Sequence, residues 1–391
     1  MRLALVTETY PPEVNGVAMT LEQLAQGMVS RGHEIEIIRP KQSREDVSRV
    51  IDGIEHVTVP GFPIPRYSGL RMGLPSSGRM IRRWRKQPPT VAHVATEGPL
   101  GLSALWATHR VGLPVTSAFH TNFHEYSDHY GLSVLRHASM WYLRRFHNVC
   151  CSTMIPSTAM RDQLDAHGFE RLVLLGRGVD TALFDPSRRS EALRRSWGVG
   201  DGDVVLIYVG RVAEEKNMPL VIKAYEALKR ERAGTKLVIV GDGPLRQPLA
   251  EAHPDVIFAG IQRDVALAEH YASGDVFAFA STTETYGNVI PEAMASGLAV
   301  VTYDYAAGQA LIADGENGRL ATFDDADDFV RVTVSLGTDD AGIARCRERG
   351  RATTVGLSWQ SVHERFEELL MEAAKMSCPD TVMEPEGSAS G

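Results

Sequence analysis

The sequence predicts an α/β protein made of two Rossmann-like domains, and three observations support this fold class. Its length of 391 residues is about two to three times that of a typical single domain. Hydrophobic residues make up 43% of the chain and charged residues 23%, which is ordinary for a globular protein with a large core. Short apolar segments alternate with amphipathic ones from residue 3 and again from residue 204, as in two parallel, doubly wound sheets.

The first alternation begins with a strand predicted at residues 3–6, followed by a loop rich in proline and glycine. A helix is predicted over residues 18–31, and Gly32 favours a left-handed cap at its end. Further strands are predicted at residues 35–38, 91–94, 115–119, 148–152 and 172–175. Residues 187–195 are polar and basic, and we interpret them as a linker.

The second alternation predicts strands at residues 204–209, 236–240, 256–259, 276–280 and 299–302, and helices at residues 218–230 and 290–296. The predicted division is a first domain of residues 1–187 and a second domain of residues 188–356. A helix over residues 357–375 is expected to pack back on the first domain. Residues 376–391, rich in Pro, Ser, Gly and acidic side chains, are expected to be a disordered tail.

Several classes of protein are disfavoured by the sequence. No run approaches 18 apolar residues, so no bilayer-spanning helix is expected. The apolar segment at residues 3–6 is too short for a secretory signal. The four cysteines lack C-x-x-C or metal-ligand spacing, and we expect them to be reduced thiols in a cytoplasmic protein.

Charge is distributed unevenly along the chain. The net charge is −8, but residues 1–190 carry +5 and the remainder −13. Residues 57–96 contain seven basic side chains and no acidic one. A local basic region on an acidic protein argues against general nucleic-acid binding and favours one anionic surface or ligand.

Neither a metal ion nor a dinucleotide cofactor is expected. The first βα loop contains Gly16 alone rather than the G-x-G-x-x-G pattern, and the P-loop motif is absent from the sequence. Asp-x-Asp pairs occur at residues 201–203 and 325–327. Their positions favour solvated turns over a metal site.

A first candidate site follows the opening strand of the second domain. Gly210 and Arg211 come directly after this strand, and Lys216 precedes the next helix. Ligands of open α/β sheets bind at the carboxyl ends of the strands. Because arginine offers a planar fork of donors and lysine a point charge, this pair is suited to a diphosphate.

A second candidate site is the segment from Glu284 to Glu292, which places two carboxylates eight residues apart across a loop-to-helix junction. Pro291 suits the first turn of a helix, and Gly287 permits close approach of the backbone to an anion. A third candidate is His120, which follows the strand predicted at residues 115–119. A histidine there faces the interdomain cleft if the two sheets oppose each other.

Together these features resemble the retaining nucleotide-sugar glycosyltransferases of family 4, which have the GT-B fold of two Rossmann-like domains facing across a cleft. The most specific part is residues 281–297, which matches the Glu-x7-Glu block of the family. Supporting matches are residues 11–16, residues 119–121, residues 178–184 and residues 210–216. Ala306-Ala307-Gly308 departs from the Gly-Gly pair of many members, which puts in doubt how this loop meets the sugar.

The resemblance implies a role for each site residue. It implies a catalytic set of His120, Glu284, Arg211 and Lys216. It implies donor contacts from Gly16, Gly210, Arg211, Lys216, Glu284, Tyr286, Gly287, Asn288, Val289 and Glu292. Within these sets, Arg211 and Lys216 bind the diphosphate and Glu284 holds sugar hydroxyls. Glu292 binds the ribose, and Gly16 lies against the diphosphate on the acceptor side.

The implied reaction moves a hexosyl unit from a UDP- or GDP-linked sugar to an acceptor with retention of anomeric configuration and without a metal ion. The first domain binds the acceptor and the second binds the nucleotide sugar. In family members the leaving phosphate is thought to accept the proton of the acceptor. The pattern is closest to bacterial glycolipid-forming and mannosyltransferase-like members.

The basic run at residues 79–86 suggests a lipid acceptor such as diacylglycerol or a phospholipid. Its cations and aromatic residue can lie on an anionic leaflet, and they comprise Arg79, Arg82, Arg83, Trp84, Arg85 and Lys86. We therefore expect a cytoplasmic protein that is peripheral on the inner face of the membrane. A solvated helix with one buried tryptophan is the simpler interpretation of this run.

Alternatives to the lipid acceptor remain open. They are a glycosyltransferase with a soluble or polysaccharide acceptor and a non-catalytic nucleotide-sugar-binding GT-B protein. A sugar-nucleotide epimerase is disfavoured, because it would need acids in the cleft for proton transfer and the sequence offers none. The set of Arg211, Lys216, Glu284, Glu292 and His120 weighs against the non-catalytic protein.

Overall fold

The computed structural model describes residues 1–13, 15–63, 71–120, 133–200, 202–376 and 378, with the backbone alone of residues 133–136. The chain divides into two compact units. Unit 1 comprises Met1–Arg177 and the chain from Trp359 onward, and unit 2 comprises Gly178–Ser358.

The strands, in chain order, are β1 (Arg2–Val6), β2 (Glu34–Pro40), β3 (Arg49–Ile51), β4 (Ile54–Val59), β5 (Gly61–Pro63), β6 (Arg71–Gly73), β7 (Val91–Val94), β8 (Val115–Ala118), β9 (Ser152–Ile155), β10 (Leu172–Leu174), β11 (Val205–Val209), β12 (Lys236–Val240), β13 (Ile257–Gly260), β14 (Val276–Phe279), β15 (Ala299–Tyr303) and β16 (Arg319–Ala321).

The helices are α1 (Gly16–Ser30), α2 (Ser77–Lys86), α3 (Pro99–Val111), α4 (Ser133–Asn148), α5 (Thr158–Ala166), α6 (Glu191–Ser196), α7 (Met218–Glu231), α8 (Arg246–Ala252), α9 (Asp264–Ser273), α10 (Val289–Ala295), α11 (Ala306–Leu311), α12 (Ala326–Gly337), α13 (Asp340–Thr354) and α14 (Trp359–Ala373). Short 3₁₀ turns occur at Pro186–Arg188 and Glu214–Lys216.

The sheet of unit 1 has eight strands in the order β10-β9-β8-β7-β1-β2-β4-β3. All neighbours pair in parallel except β3 and β4. The central strands β1, β7, β8 and β9 are almost wholly buried, as expected for parallel strands covered on both faces. Strand β1 lies between β2 and β7. Successive strands are therefore added on one side of β1 first and on its other side afterwards, which makes β1 the topological switch point of this sheet.

The sheet of unit 2 has six parallel strands in the order β13-β12-β11-β14-β15-β16. Strand β11 lies between β12 and β14, and the chain again changes direction at its first strand. Open α/β sheets bind ligands outside the carboxyl ends of the strands at such a switch point. The topology therefore directs attention to the loops that follow β11 and β14.

Most of the predicted strands coincide with observed ones, but residues 148–152 do not. Helix α4 runs to Asn148, and the strand begins only at Ser152. Leu143 and Phe146 are buried on the inner face of this helix, so apolar side chains that precede the strand belong to a helical pattern. The prediction at this position was wrong.

The predicted linker at residues 187–195 is also wrong, because this segment is docked on unit 2. Asp275, which is 6% exposed, accepts hydrogen bonds from Arg194 Nη1 at 2.9 Å and Arg189 Nη2 at 3.0 Å. It also accepts the backbone N–H of Val205 at 2.9 Å. These bonds fix the entry of the chain into β11.

The division between the units lies ten residues before the predicted boundary at residue 187. Phe184 is 7% exposed within the core of unit 2, and its ring meets Tyr271 edge-on at 5.6 Å. The two ends of unit 2 meet, since the Val179 N–H donates to the Leu357 carbonyl at 2.8 Å. Helix α14 then packs in unit 1 through Phe366 and its neighbours.

Two of the four cysteines differ from expectation. Cys151 and Cys378 form a disulfide, so they are not reduced thiols in this structure. Cys150 and Cys346 are free and buried. Apart from residues 376 and 378, the tail predicted to be disordered lies outside the described residues. Of the helices that the structure describes, none is both long enough and apolar enough to span a bilayer.

The first prediction concerns Asp275. The change Asp275→Ala leaves three arginines of unit 2, Arg189, Arg194 and Arg347, without their buried partner. Removing one member of such a cluster costs about 3–5 kcal/mol of unfolding free energy. Urea denaturation followed by circular dichroism measures the loss. Asp327→Ala is the matched control, because Asp327 pairs with Lys223 at the surface, and such pairs contribute about 1 kcal/mol or less. Equal losses in both variants contradict the assignment.

Candidate active site

The loop after β11 begins with a glycine whose conformation is required. Gly210 has φ of 150°, and a Cβ atom there would lie 2.8 Å from the Tyr208 hydroxyl. That hydroxyl donates to the Arg211 carbonyl at 2.9 Å. Gly210 therefore allows the backbone to turn tightly out of the sheet and to carry Arg211 and Lys216 to the carboxyl edge.

Lys216 and Glu284 form the central ion pair of this edge. Lys216 ends the 3₁₀ turn after β11 and Glu284 lies in the loop after β14, and the structure brings Nζ and Oε1 to 2.5 Å. Ser281 donates its hydroxyl to the same carboxylate oxygen at 2.9 Å. Tyr305 holds the Glu284 backbone through its carbonyl at 2.8 Å. Both charged side chains are nearly buried, at 19% and 17% exposed, so the pair is ordered before a ligand arrives.

Arg211 lies outside this pair. Its side chain is 53% exposed, and Nη1 lies 3.3 Å from Glu215 Oε1. Such a surface pair contributes little to stability. Arg211 is therefore available to move onto an anionic ligand.

Glu292 lies in the first turn of α10 and is held by a different partner. The Tyr271 hydroxyl donates to Oε2 at 2.9 Å. Burial raises the pKa of Glu292 to about 7 from 4.5, against the opposing effect of the Tyr271 hydrogen bond. A carboxylate with a pKa near neutrality in a ligand-binding edge is typical of a functional group. No hydrogen bond between described residues joins Glu292 to the Lys216–Glu284 pair.

The residues between the two glutamates shape the loop. Gly287 has φ of 93°, a conformation that glycine adopts without strain. The Tyr286 carbonyl accepts the Ala307 N–H at 2.8 Å, and the Tyr286 side chain is buried. Asn288 and Val289 begin α10. This loop is therefore anchored to α11, the segment that departs from the usual Gly-Gly pair.

The sequence analysis missed the loop after β12, which supports the same edge. Val212 donates its N–H to the Asp242 carbonyl at 3.0 Å and accepts the Leu245 N–H at 3.1 Å. A Cβ atom on Gly243 would lie 2.3 Å from the Val212 carbonyl oxygen, so only glycine permits this approach. The run Gly241-Asp242-Gly243-Pro244 directly after a buried strand is the signal that could have identified it.

His120 lies in unit 1, directly after β8. Arg177 Nη2 lies 2.9 Å from His120 Nδ1. Because a guanidinium only donates, Nδ1 is the acceptor and the ring proton lies on Nε2. Burial, together with the charge of Arg177, holds the pKa of His120 well below 6.5. His120 is therefore a neutral imidazole, and Arg177, which is 7% exposed, is the residue that determines its tautomer.

Unit 1 also contains two carboxylates that the sequence analysis did not single out, after β1 and β7. Burial and, to a smaller extent, the charge of Glu97 raise the pKa of Glu8 to about 7, against the lowering effect of the Leu100 N–H. This N–H donates to Glu8 Oε1 at 3.0 Å at the start of α3. Glu97 Oε1 lies 3.3 Å from Nε2 of the buried His147. The sequence alone could not bring Glu8 and Glu97 together, because only the strand order shows that β1 and β7 are neighbours.

Gly16 is the first residue of α1 in unit 1. Asn15 caps this helix by accepting the Ala18 N–H at 2.9 Å, and Thr20 donates its hydroxyl to the Gly16 carbonyl at 2.7 Å. The cap places Gly16 at the carboxyl end of β1. Its expected contact with the donor diphosphate stays a prediction.

The basic helix α2 differs in part from the expected membrane surface. Trp84 is 1% exposed and donates its indole N–H to Glu36 Oε1 at 2.6 Å. Arg83 Nε lies 2.6 Å from Glu36 Oε2. These two side chains hold α2 on the sheet and are not available to a membrane, which corrects the prediction. Arg79, Arg82, Arg85 and Lys86 are exposed.

A search for a metal site among the described residues finds no cluster of three or more His, Cys, Asp or Glu side chains able to hold an ion.

Comparison with known proteins identifies the class. The chain matches the family described as Glycosyltransferase Family 4 over residues 14–183 and the family described as Glycosyl transferases group 1 over residues 203–339. Both belong to the class of glycosyltransferases.

Individual relatives agree with this assignment. A GDP-mannose-dependent alpha-mannosyltransferase of Mycolicibacterium smegmatis is 36% identical over 83% of this chain and 85% of its own. An alpha-monoglucosyldiacylglycerol synthase of Streptococcus pneumoniae is 28% identical over 82% of this chain and 75% of its own. Among solved structures, sucrose-phosphate synthase from Thermosynechococcus elongatus superposes with a TM-score of 0.78 at 17% identity, over 95% of this chain and 98% of its own.

The chain belongs to glycosyltransferase family 4. This confirms the family, the GT-B fold class and the glycosyltransferase activity that the Glu-x7-Glu block and its supporting motifs predicted.

The second prediction follows from the pKa of Glu292. The folded protein retains this proton up to a pH of about 7, whereas the unfolded chain loses it near 4.5. Stability is therefore lost as the pH rises through this interval. The change Glu292→Gln keeps an acceptor for Tyr271 and removes the buried charge. We expect its Tm to exceed that of the parent at pH 8, by about 2–4 °C for each kcal/mol relieved, and to equal it at pH 4.5.

Differential scanning fluorimetry of the ligand-free protein measures this difference. Glu348→Gln is the control, because Glu348 is exposed and its removal should not change Tm at either pH. A Glu292→Gln difference that is the same at both pH values contradicts the assignment.

Proposed function

We propose that the protein is a retaining hexosyltransferase that moves a hexosyl unit from a UDP- or GDP-linked sugar to a membrane lipid. The observation that carries the proposal is the preformed Lys216–Glu284 pair at the switch point of unit 2. The names of the relatives from M. smegmatis and S. pneumoniae include GDP-mannose as donor and a diacylglycerol lipid, which supports both halves of the proposal.

Donor binding divides between the charged groups of unit 2. The donor diphosphate binds Lys216 and recruits the exposed Arg211, and the sugar hydroxyls donate to Glu284. The Glu292 carboxylate accepts hydrogen bonds from the ribose hydroxyls. An ionised carboxylate is the better acceptor, so nucleotide binding lowers the raised pKa of Glu292 and releases a proton near neutral pH.

Bond cleavage leaves negative charge on the departing diphosphate. Lys216 and Arg211 stabilise this charge as preorganised donors, a contribution of the kind that accounts for much of enzymatic rate enhancement. Because two cations of the chain supply the compensating charge, we propose that transfer needs no metal ion and continues in EDTA. The leaving phosphate is the base that accepts the proton of the acceptor hydroxyl.

His120 acts as a hydrogen-bond donor in this scheme. Arg177 occupies Nδ1, so Nε2–H is the group that the ring can present to a substrate oxygen. Because the pKa of His120 is held well below 6.5, the imidazole is neutral at neutral pH. His120 therefore orients a substrate and does not carry a proton between substrates.

The lipid acceptor brings the protein to a membrane surface on the cytoplasmic side. The surface that we propose for docking consists of the exposed α2 cations and the exposed part of α3, which packs against α2. Trp106 of α3 is 40% exposed, and Arg110 lies over its ring at 4.8 Å. Trp106 thus supplies the interfacial aromatic side chain that Trp84 cannot.

The third prediction tests the ion pair. Lys216→Ala and Glu284→Ala should each reduce hexosyl transfer by about 10²–10³-fold, because each removes a preorganised contact to the transferring group. Radiolabelled GDP-mannose and UDP-glucose with a bacterial lipid extract in EDTA form the assay. Lys223→Ala, at an exposed lysine of the same unit, should retain full activity. Normal turnover in either site variant, with an unchanged Tm, refutes the site.

The fourth prediction tests the membrane surface. Replacing Arg82, Arg85 and Lys86 with Ser should weaken binding to anionic vesicles by an amount that diminishes with added salt, since each cation contributes about 1 kcal/mol near an anionic leaflet. Vesicle flotation measures binding. The control variant replaces Arg195, Lys223 and Arg230 of unit 2 with Ser. These three side chains are exposed, and their replacement makes the same change in net charge.

Nucleotide-sugar binding should be equal in both triple variants. If the parent does not bind anionic vesicles, or if the two triple variants bind equally well, a soluble or polysaccharide acceptor becomes the better assignment.

A further inference from the structure

A cavity of about 490 Å³ lies in unit 1, among residues that the proposed reaction does not use. It is lined by Lys41, Ser43, Arg44, Pro60, Gly61 and Arg71. We call it the edge pocket. Lys41 directly follows β2 and Pro60 directly follows β4, and the Lys41 N–H donates to the Val59 carbonyl at 2.9 Å. The edge pocket therefore lies at the carboxyl edge of the sheet, where α/β proteins bind ligands.

Half of the described side chains that line the edge pocket are cationic, and none of these lining side chains is acidic. Among the ion pairs of the described residues, none includes Lys41, Arg44 or Arg71. Arg71 Nη2 donates to the Gly61 carbonyl at 2.9 Å, while its Nε is buried without a hydrogen bond inside the described part of the chain. The described lining of the edge pocket thus carries three cationic side chains without an ion-pair partner among the described residues.

Three acids bear on this charge. Glu45, next to Arg44, is exposed, and its carboxylate accepts a hydrogen bond from Ser43 of the lining, whereas Asp46 and Glu13 are bound elsewhere. Asp46 accepts both Nη atoms of Arg39, at 2.6 and 3.1 Å, and the Gln42 N–H at 2.9 Å. Glu13 accepts the Thr9 hydroxyl at 2.6 Å and the Gln42 side-chain amide at 2.7 Å. With their oxygens bound in this way, Asp46 and Glu13 do not neutralise the edge pocket.

The backbone holds the cations in position. A Cβ atom on Gly61 would lie 2.7 Å from the Met72 carbonyl oxygen and 2.8 Å from Pro40 Cβ. The β5–β6 hairpin therefore passes directly against the end of β2, which is possible only for glycine. This contact brings Arg71 beside the residues that follow β2.

We propose that the edge pocket binds an anionic group of the lipid acceptor, a phosphate or a carboxylate. The inference rests on the proposed function and names the class of acceptor. A guanidinium fork and an ammonium point charge are the side chains that recognise such groups. The adjoining helix α2 also faces this end of the sheet, because Arg79 Nη1 donates to the Thr58 carbonyl at 2.9 Å near the end of β4.

The anionic group anchors the acceptor and does not react. His120 follows β8, and the strand order places β7 and β1 between β8 and β2. Three strand intervals amount to about 14 Å, so the anion and the reacting hydroxyl belong to different parts of one headgroup. The enzyme therefore prefers a lipid whose headgroup carries both an anion and a distal hydroxyl over a neutral lipid such as diacylglycerol.

The fifth prediction compares acceptors in mixed micelles of a nonionic detergent, with GDP-mannose and UDP-glucose as donors. The variant is Lys41→Met combined with Arg44→Ser in the full chain. Loss of two charge-assisted contacts should raise KM for phosphatidylinositol and for glucuronosyl diacylglycerol by about tenfold or more. KM for diacylglycerol and for monoglucosyl diacylglycerol should be unchanged. Lys41→Arg should restore most of the affinity lost in a Lys41→Met single variant.

The control variant Arg195→Ser with Arg230→Ser makes the same change in charge on unit 2 and should leave every KM unchanged. Phosphatidic acid, added to micelles that contain a neutral acceptor, distinguishes a substrate headgroup from bulk anionic lipid. If phosphatidic acid makes the parent and the edge-pocket variant differ on the neutral acceptor, the edge pocket binds bulk lipid and the proposal is wrong. Equal KM changes for anionic and neutral acceptors, or none, also overturn it.

The outcome is separable from that of the proposed function. If the parent transfers sugar to neutral lipids alone, the hexosyltransferase assignment stands and the edge-pocket proposal fails. If the parent binds nucleotide sugar but transfers it to no lipid, the lipid-acceptor assignment itself fails.

Discussion

A parallel sheet sends the carboxyl ends of all its strands to one edge, and this constraint determines where the candidate active site lies. Strand β11 has β12 on one side and β14 on the other. The loops that follow β11 and β14 therefore lead away in opposite directions and leave a recess between them. Lys216 comes from the first of these loops and Glu284 from the second, 68 residues later. Their ion pair exists because the strand order makes β11 and β14 neighbours. The glycines at 210, 243 and 287 serve the same recess by allowing its walls to approach.

The carboxyl edge of the sheet of unit 2 contains a charged group that lowers the stability of the fold. Glu292 sits where the protein interior disfavours its charge, and its tyrosine partner offsets only part of this cost. Asp275 shows the contrasting case, because four donors surround a carboxylate that has no contact with substrate in the proposed reaction. Buried charge is thus fully compensated where it organises the sheet and incompletely compensated where a ligand is expected to complete it.

Local patterns were sufficient to predict most of the strands and the spacing of Glu284 and Glu292. They failed where the deciding partner is distant in sequence. Residues 187–195 read as a linker because Asp275, which binds them, lies about eighty residues away. The sequence predicted Trp84 to face a membrane, because the buried Glu36 that accepts its indole N–H lies on β2 and is distant in sequence from α2. The edge pocket could not be predicted at all, since its residues converge only through the order of β2, β4 and the β5–β6 hairpin.

The contact between Val179 and Leu357 has a consequence for how this architecture can change. The chain leaves unit 1 and returns to it at adjacent points, so the half that we propose to bind the donor forms one uninterrupted block, Gly178–Ser358, with its ends already joined. Such a block behaves as an insertion in a host whose own hydrophobic core is completed by α14. An ancestral exchange of this single cassette would alter the nucleotide sugar consumed while leaving acceptor recognition intact. Specificities for donor and acceptor can therefore be inherited as separate modules.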